Sequence, residues 1–316
     1  MTRDRADAAA LDSLAFQELL LQTKVRVEAK LDELLSPTPR VGESARPARL
    51  LAAMRYSVLL GGKRLRPFLL VETARALGVE GEGPLRAAAA IELVHCYSLV
   101  HDDLPAMDND DIRRGRATTH KAFDEAAAVL AGDALLTLAF DVMADEPTHP
   151  DGAARAALCL GLARASGLGG MAGGQMLDLA AENASAPLDR AAISQLQAMK
   201  TGALLRFSVE AGATIAGASP NRLKALSQFG AAIGAAFQIA DDLLDAEGDE
   251  TALGKRTGKD AARNKATFIA SLGVTAARAE LGRLVVQAQS AIDKANLGHE
   301  GRFLRATASF VAVRDR

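Results

Sequence analysis

Tryptophan is missing from this chain of 316 residues and tyrosine occurs only twice, so aromatic residues make up 4% of it. That poverty argues against a β-rich fold, which draws on aromatic and branched side chains. Neither sign of charge prevails, since 37 Lys and Arg stand against 39 Asp and Glu, for a net charge of −2. The basic excess that nucleic-acid binding depends on is therefore lacking. Cysteine is scarce as well. Cys96 and Cys159 have neither C-x-x-C nor zinc spacing, and each reads as a small buried hydrophobe. The longest uncharged run, Ala225 to Ala240, is broken by Ser227, Gln228 and glycines and is too short to span a bilayer. The amino terminus carries Arg3, Asp4, Arg5 and Asp7 with no apolar signal core. A cytoplasmic protein without a membrane span is the expectation.

What the chain has in quantity is 66 Ala and 44 Leu, about a third of all residues. Both are strong helix formers, and a hydrophobic content of 49% suffices for a large core. Apolar residues recur at three-to-four spacing, punctuated by short Gly, Pro and Asp/Asn stretches. This predicts helices over 12–35, 45–60, 67–77, 87–103, 119–143, 151–165, 171–183, 188–216, 220–247 and 264–295. No segment of β character and no low-complexity boundary stands out. One all-α domain over residues 1–316 is the economical reading.

Two acidic groups depart from ordinary surface charge. His101-Asp102-Asp103 runs through Pro105 to Asp108-Asn109-Asp110-Asp111, and Gln238-Ile239-Ala240 leads into Asp241-Asp242-Leu243-Leu244-Asp245. Each directly follows a long apolar helical run. Asp241 and Asp245 lie one helical turn apart on a shared face, with Gln238 near them. Asp102 and Asp108 are six residues apart, and Pro105 cannot continue a regular helix, so a loop there would bring Asp108 back toward Asp102. Like charges at this density require a cation. Oxygen ligands without His or Cys suit Mg²⁺, which takes one or two carboxylates, waters and substrate phosphates. A solvated acidic helix end is the alternative for either cluster alone.

Basic residues answer these clusters. Lys63, Arg64 and Arg66 follow Gly61-Gly62, a turn where backbone N–H groups and cationic side chains can converge on phosphate. Arg113-Arg114-Gly115-Arg116 comes straight after the first acidic group, and guanidinium forks suit diphosphate oxygens. Lys200-Thr201-Gly202 interrupts an apolar stretch, and Lys255, Arg256, Lys259 and Lys265 trail the second cluster. His95 stands seven residues before Asp102, on nearly the same helix face. His101 beside Asp102 invites comparison with the His-Asp metal pair of phosphohydrolases, but the further ligands of such a site cannot be assigned.

The Gly-Gly-Lys-Arg-Leu-Arg-Pro turn, Asp102-Asp103-x₄-Asp108, Arg113-Arg114, Gly173-Gly174-Gln175, Lys200-Thr201, Phe237-Gln238 and Asp241-Asp242-x₂-Asp245 occur in this order. Over residues 45 to 275 the sequence thereby resembles the trans-prenyltransferases, and within them the bacterial short-chain farnesyl or geranylgeranyl diphosphate synthases. The resemblance implies a helical bundle around a deep cavity, with the two Asp-rich motifs facing each other across its mouth. It implies that Asp102 and Asp108 bind two Mg²⁺ and Asp241 a third, with Asp103, Asp242 and Asp245 in support. It assigns the allylic diphosphate to Arg113, Lys200, Thr201, Gln238, Lys255 and Lys265, and isopentenyl diphosphate to Lys63, Arg66, His95 and Arg114. Gln175 and Asp178 would line the cavity near the metals.

Product length falls to the residues just before the first motif. Tyr97, five before Asp102, together with the two-residue expansion inside that motif, resembles the bacterial farnesyl type. A helical wheel, however, places Ser98 closer than Tyr97 to the Asp102 face. Farnesyl diphosphate synthesis by a homodimer is the function implied, with geranylgeranyl diphosphate synthesis next. A terpene cyclase shares the ionisation chemistry but has no use for the Lys63, Arg66 and His95 set and carries more aromatics in its cavity. A non-catalytic subunit would have lost an Asp-rich motif, and a helical scaffold would not depend on Asp102 or Asp241.

Overall fold

The three-to-four spacing of apolar residues becomes helix in nearly every segment where it occurs. The computed structural model describes residues 2–184, 186, 188–247 and 268–313. Helices α1 (Thr2–Leu34), α2 (Ala48–Val58), α3 (Leu65–Ala76) and α4 (Glu82–Asp102) precede a small antiparallel hairpin of β1 (Ile112–Arg113) and β2 (Arg116–Ala117). Helices α5 (Thr119–Ala122), α6 (Glu125–Ala144), α7 (Gly152–Ser166), α8 (Met171–Glu182) and α9 (Arg190–Gln197) follow. A π-helical turn, Ala198–Gly202, joins α9 to α10 (Ala203–Ile215). Then come α11 (Pro220–Glu247), α12 (Phe268–Leu272), α13 (Val274–Ala295) and α14 (Arg302–Val313).

Five details depart from the sequence reading. The segment 264–295 is two helices, α12 and α13, parted at Gly273 with a φ of 76°, and residues 264–267 lie outside the described residues. The segment 119–143 is two helices, because Asp124 leaves the helical conformation and caps α6, accepting the Ala127 N–H at 2.6 Å. The segment 188–216 is interrupted by the π turn. The hairpin gives the chain two short strands where none was expected, and α14 is an additional helix at the end. Cys96 is buried as anticipated, and burial pushes its thiol up to about 12. Cys159 is only half-buried.

The contacts gather the chain into two compact units. One comprises Gln17–Val71 and Glu80–Cys159 and is called here the Asp102 unit. In it α4 packs along α6. Ala87 to Ala90 on the first helix and Ala128, Ala131 and Ala139 on the second are fully buried, and such small side chains let helix axes approach closely. Ile91, Leu93, Leu135 and Val142 fill the seam, each contributing about 1.5–3 kcal/mol through burial. By length and composition α6 could cross a membrane, a test that buried core helices also pass. Its Ala127, Ala131, Leu135, Ala139 and Val142 are instead turned into this seam.

The other, the Asp241 unit, comprises Met1–Phe16, Glu72–Val79 and Leu160–Arg316. Helix α11 is its axis, flanked by α10 and α13. Phe229 is fully buried on it. Leu281, Leu284, Ala288, Ala291, Ile292 and Ala295 give α13 one apolar stripe at helical spacing. Glycine at 230 and 234 brings α11 onto its neighbours, since a Cβ there would lie 2.8 Å from the Cα of Arg206 and of Gly202, respectively.

Candidate active site

Helix α4 carries His95, Tyr97, Ser98 and Asp102 and ends at Asp102. Pro105 then does what its chemistry requires, and the chain turns back on itself. The Asp108 N–H donates to the Asp102 carbonyl at 2.8 Å, so the two carboxylate-bearing residues are joined by a backbone hydrogen bond, as the sequence predicts. The N–H groups of Met107 and Asn109 both donate to the Leu104 carbonyl, and Asn109 takes the left-handed conformation that closes the turn.

The hairpin presents the two arginines in different directions. Arg114 and Gly115 form its tip with φ of 53° and 75°, the paired positive values of a type I′ turn. Arg113 reaches back to the buried Asp103, its Nε at 2.7 and 2.9 Å from the two carboxylate oxygens and its Nη2 at 2.7 Å. Burial works against the Arg113 charge, but the Asp103 carboxylate outweighs it and holds the guanidinium above its ordinary range. Arg114 donates to the Gly61 carbonyl. It lies so close over Gly62 that a Cβ there would stand 2.9 Å from its Nη1, and the φ of +134° at Gly62 itself favours glycine.

Within the Gly61–Arg66 loop the basic side chains divide. Arg64, left-handed at φ 51°, points inward and is buried. It binds Glu92 at 2.5 Å, the Val58 carbonyl at 2.6 Å and Glu28 at 3.4 Å. Lys63 is exposed and Arg66 half-buried. The Nε of Arg66 is fully buried with no hydrogen-bond partner among the described residues. Burial, with the Arg114 charge adding to it, lowers the Arg66 pKa. His95 feels burial first and then Arg66, Arg114, Arg64 and Arg113, which together drive it well below the usual histidine range. The loop, the hairpin tip and α4 thus concentrate positive charge around a neutral imidazole, the electrostatics of an anion site. A cleft beside them is lined by Ser57, Leu60, Cys96, Leu99, Arg113 and Arg114.

In the Asp241 unit, α11 presents Asp241 exposed, Asp245 half-buried and Asp242 buried. Asp242 accepts the Gln238 Nε2–H at 3.0 Å, the Phe268 backbone N–H at 2.9 Å and Gln197 Nε2 at 3.4 Å. Burial lifts its carboxyl to about 6 despite those donors. It therefore ties α11 to α12 and α9, and the Gln238 amide is turned to it. Lys200 sits on the π turn and pairs with the buried Asp178 of α8 at 2.5 Å. The Nε2 of Gln175, one turn earlier on α8, is a buried donor without a partner among the described residues. Helix α8 approaches this turn very closely, since a Cβ on Gly174 would fall 2.2 Å from the Lys200 nitrogen. π turns of this kind recur at functional sites. Lys255 and Lys265 lie outside the described residues.

Sequence reasoning assigned no function to Gly174 or Gly234 and did not separate Arg64 from its neighbours. The only signal for the glycines was Gly-Gly-Gln itself and the four-residue spacing of Gly230 and Gly234. Tyr97 is half-buried, and burial followed by the Asp102 charge raises its phenol pKa. The Ser98 hydroxyl turns back to the His95 carbonyl at 2.9 Å.

Among the described residues no three metal-ligating side chains are gathered into a closed cluster. The donors at both motifs are carboxylate oxygens alone. Hard oxygens in ones and twos, beside partnerless donors such as Arg66 Nε and Gln175 Nε2, fit Mg²⁺ bound jointly with a polyphosphate better than a protein-only metal cage.

Comparison with known proteins agrees with this chemistry. The family model described as polyprenyl synthetase matches residues 47–296. The chain is 42% identical over 305 residues to a farnesyl diphosphate synthase of Geobacillus stearothermophilus, covering 96% of this chain and 99% of that one. It is 45% identical over 271 residues to the farnesyl diphosphate synthase of Escherichia coli, covering 84% and 90%. The apo crystal structure of an FPP/GFPP synthase from Zymomonas mobilis superposes with a TM-score of 0.84 at 41% identity, covering 95% of this chain and all of that one.

Proposed function

Because this chain belongs to the polyprenyl synthetase family, we propose that it is a Mg²⁺-dependent trans-prenyltransferase. It condenses isopentenyl diphosphate head-to-tail with dimethylallyl and geranyl diphosphate, giving farnesyl diphosphate. The observation that carries this reading is the anion site of the Asp102 unit. Arg66, whose Nε has no partner among the described residues, Arg114 at the hairpin tip and neutral His95 belong to the unit that holds Asp102 and Asp108, His95 on the same helix as Asp102.

In this reading Asp102 and Asp108 hold two magnesium ions and Asp241 a third, with Asp103, Asp242 and Asp245 fixing the helix ends that carry them. Bound magnesium supplies positive charge to the oxygens of the leaving diphosphate. Arg113, Lys200, Thr201 and Gln238 bind the allylic diphosphate, with Lys255 and Lys265 contributing from the segment after α11. Lys63, Arg66, His95 and Arg114 bind the diphosphate of isopentenyl diphosphate. Gln175 and Asp178 line the cavity beside Lys200.

The allylic C–O bond breaks with its electron pair going to the diphosphate, and fixed cationic side chains stabilise that charge as it forms. The isopentenyl double bond then supplies the electrons of the new C–C bond. The resulting cation loses a proton to the departing diphosphate, so no side chain has to act as nucleophile. Ala, Leu and Met walls exclude the water that would quench either cation. Tyr97, with Ser98 beside it, forms the floor that stops the chain at fifteen carbons. A cytoplasmic homodimer completes the reading, and the exposed Val129 and Leu130 of α6 support association; sedimentation as a monomer would refute that part.

The decisive experiment incubates the protein with isopentenyl diphosphate, Mg²⁺ and each allylic starter, then resolves dephosphorylated products by length. Farnesol is expected from both starters, and Asp102→Ala is expected to lose turnover by several orders of magnitude while keeping its helical content. Full turnover in that variant rejects the assignment.

A further inference from the structure

Within the Asp102 unit, one turn of α4 is clamped to α6 by a contact that the reaction itself does not explain. The His101 Nε2–H donates to the Val129 carbonyl of α6 at 3.0 Å. That acceptor has no proton to give, so the ring nitrogen facing it is the one that carries a hydrogen. The imidazole fits against α6 only because residue 132 is glycine. A Cβ there would stand 2.0 Å from Nε2, 2.5 Å from Cδ2 and 2.7 Å from Cε1, all impossible separations. The ring also meets Tyr97, one turn back on α4, at 5.8 Å between centroids and 76° between planes. Edge-to-face contacts of this kind are worth about 0.5–1.5 kcal/mol beyond the area they bury.

Helix α6 thus grips His101 through a backbone carbonyl and a missing side chain, and His101 in turn braces the Tyr97 ring. We infer that Gly132 and His101 are specificity-determining residues for product length, acting by bracing the Tyr97 ring against α6. The proposal rests on Tyr97 being the floor of the chain cavity. A tyrosine held by its own helix alone has staggered rotamers to choose among, and a floor that swings aside admits a longer chain. The brace removes that choice. Binding of the diphosphate groups, which the proposed function gives to other side chains, should be untouched.

The test compares Gly132→Ala, His101→Leu and Tyr97→Ala with the parent enzyme, using isopentenyl and geranyl diphosphates, and reads the ratio of twenty- to fifteen-carbon products. Tyr97→Ala is expected to shift the ratio strongly. Gly132→Ala, which displaces the ring, and His101→Leu, which removes it, are each expected to raise it roughly tenfold, a difference of about 1.4 kcal/mol between competing steps. KM for isopentenyl diphosphate should stay within about twofold, a split that general damage to the fold would not produce. If Tyr97→Ala shifts the products and the other two do not, the brace is refuted and the floor stands. If Tyr97→Ala itself leaves the products unchanged, the floor reading and the brace fall together. Should Gly132→Ala fail to fold, His101→Leu decides alone, because it only shortens a half-buried side chain.

Discussion

Arg64 and Arg66 are two residues apart, yet the same guanidinium chemistry is put to opposite uses. Arg64 is a closed ion pair, and removing it leaves Glu92 charged and buried without a partner. Arg64→Met is therefore expected to lose about 3–5 kcal/mol of stability in chemical denaturation. Arg66 is more open, its buried Nε having no hydrogen-bond partner among the described residues. Arg66→Met should raise the melting temperature by a few degrees while raising KM for isopentenyl diphosphate more than tenfold, the exchange expected where a binding site is kept at the expense of stability. His95 makes the same point through pH. Its folded pKa is depressed, so below about pH 6.5 the unfolded chain takes up a proton that the native chain refuses. Stability should fall as the pH drops below that value, by at most about 1.4 kcal/mol per pH unit. Thermal melts at pH 7.5 and 5.5 should show a smaller loss in His95→Gln than in the parent.

Backbone proximity governs the elements around Lys200. Gly174 and Gly234 allow α8 and α11 to press on the π turn from two sides. Gly174→Ala places a methyl carbon where the Lys200 backbone already stands. It should cost about 1–3 kcal/mol and lower kcat/KM for the allylic substrate at least tenfold. Gly282 on α13 is the contrasting case, with open space around its missing Cβ, and Gly282→Ala should stabilise by about 0.4–1 kcal/mol without touching activity. The long helices were legible in the sequence because apolar period and punctuation are local properties. The two-residue strands, the break at Asp124 and the π turn were not, since each is fixed by partners distant in the chain or by a single hydrogen bond. Motif and spacing likewise singled out Asp102, Asp108, Arg113, Lys200, Asp241 and Asp245. They were silent on which residues hold one another: Arg113–Asp103 and Lys200–Asp178 join different elements, whereas Gln238–Asp242 is an i,i+4 contact within α11.

Over the whole molecule, a net charge of −2 hides a local basic excess around His95 and two local acidic excesses at Asp102–Asp111 and Asp241–Asp245. Magnesium alone should therefore bind weakly, and so should inorganic diphosphate alone. Together, at about a hundred times their joint Kd, they should add about 2.7 kcal/mol to stability, or roughly 5 °C in a chain of this size. Calorimetry with each component and with both checks this. Equal shifts from magnesium alone would point to a preformed metal cage.

The π turn also constrains how chains of this architecture can change length over evolutionary time. Ala198–Gly202 holds one residue more than a regular helix would need. Deleting any one of the five restores the α-helical register and leaves the flanking helices close to their present phase, because a π turn is one extra residue absorbed within a continuing helix. The bulge itself is lost, and with it the position from which Lys200 reaches Asp178. An insertion in the Gly167–Gly170 bend disturbs no such contact. Length variation among related sequences should accumulate in bends of that kind, and gaps should be rare between Gln197 and Ala203.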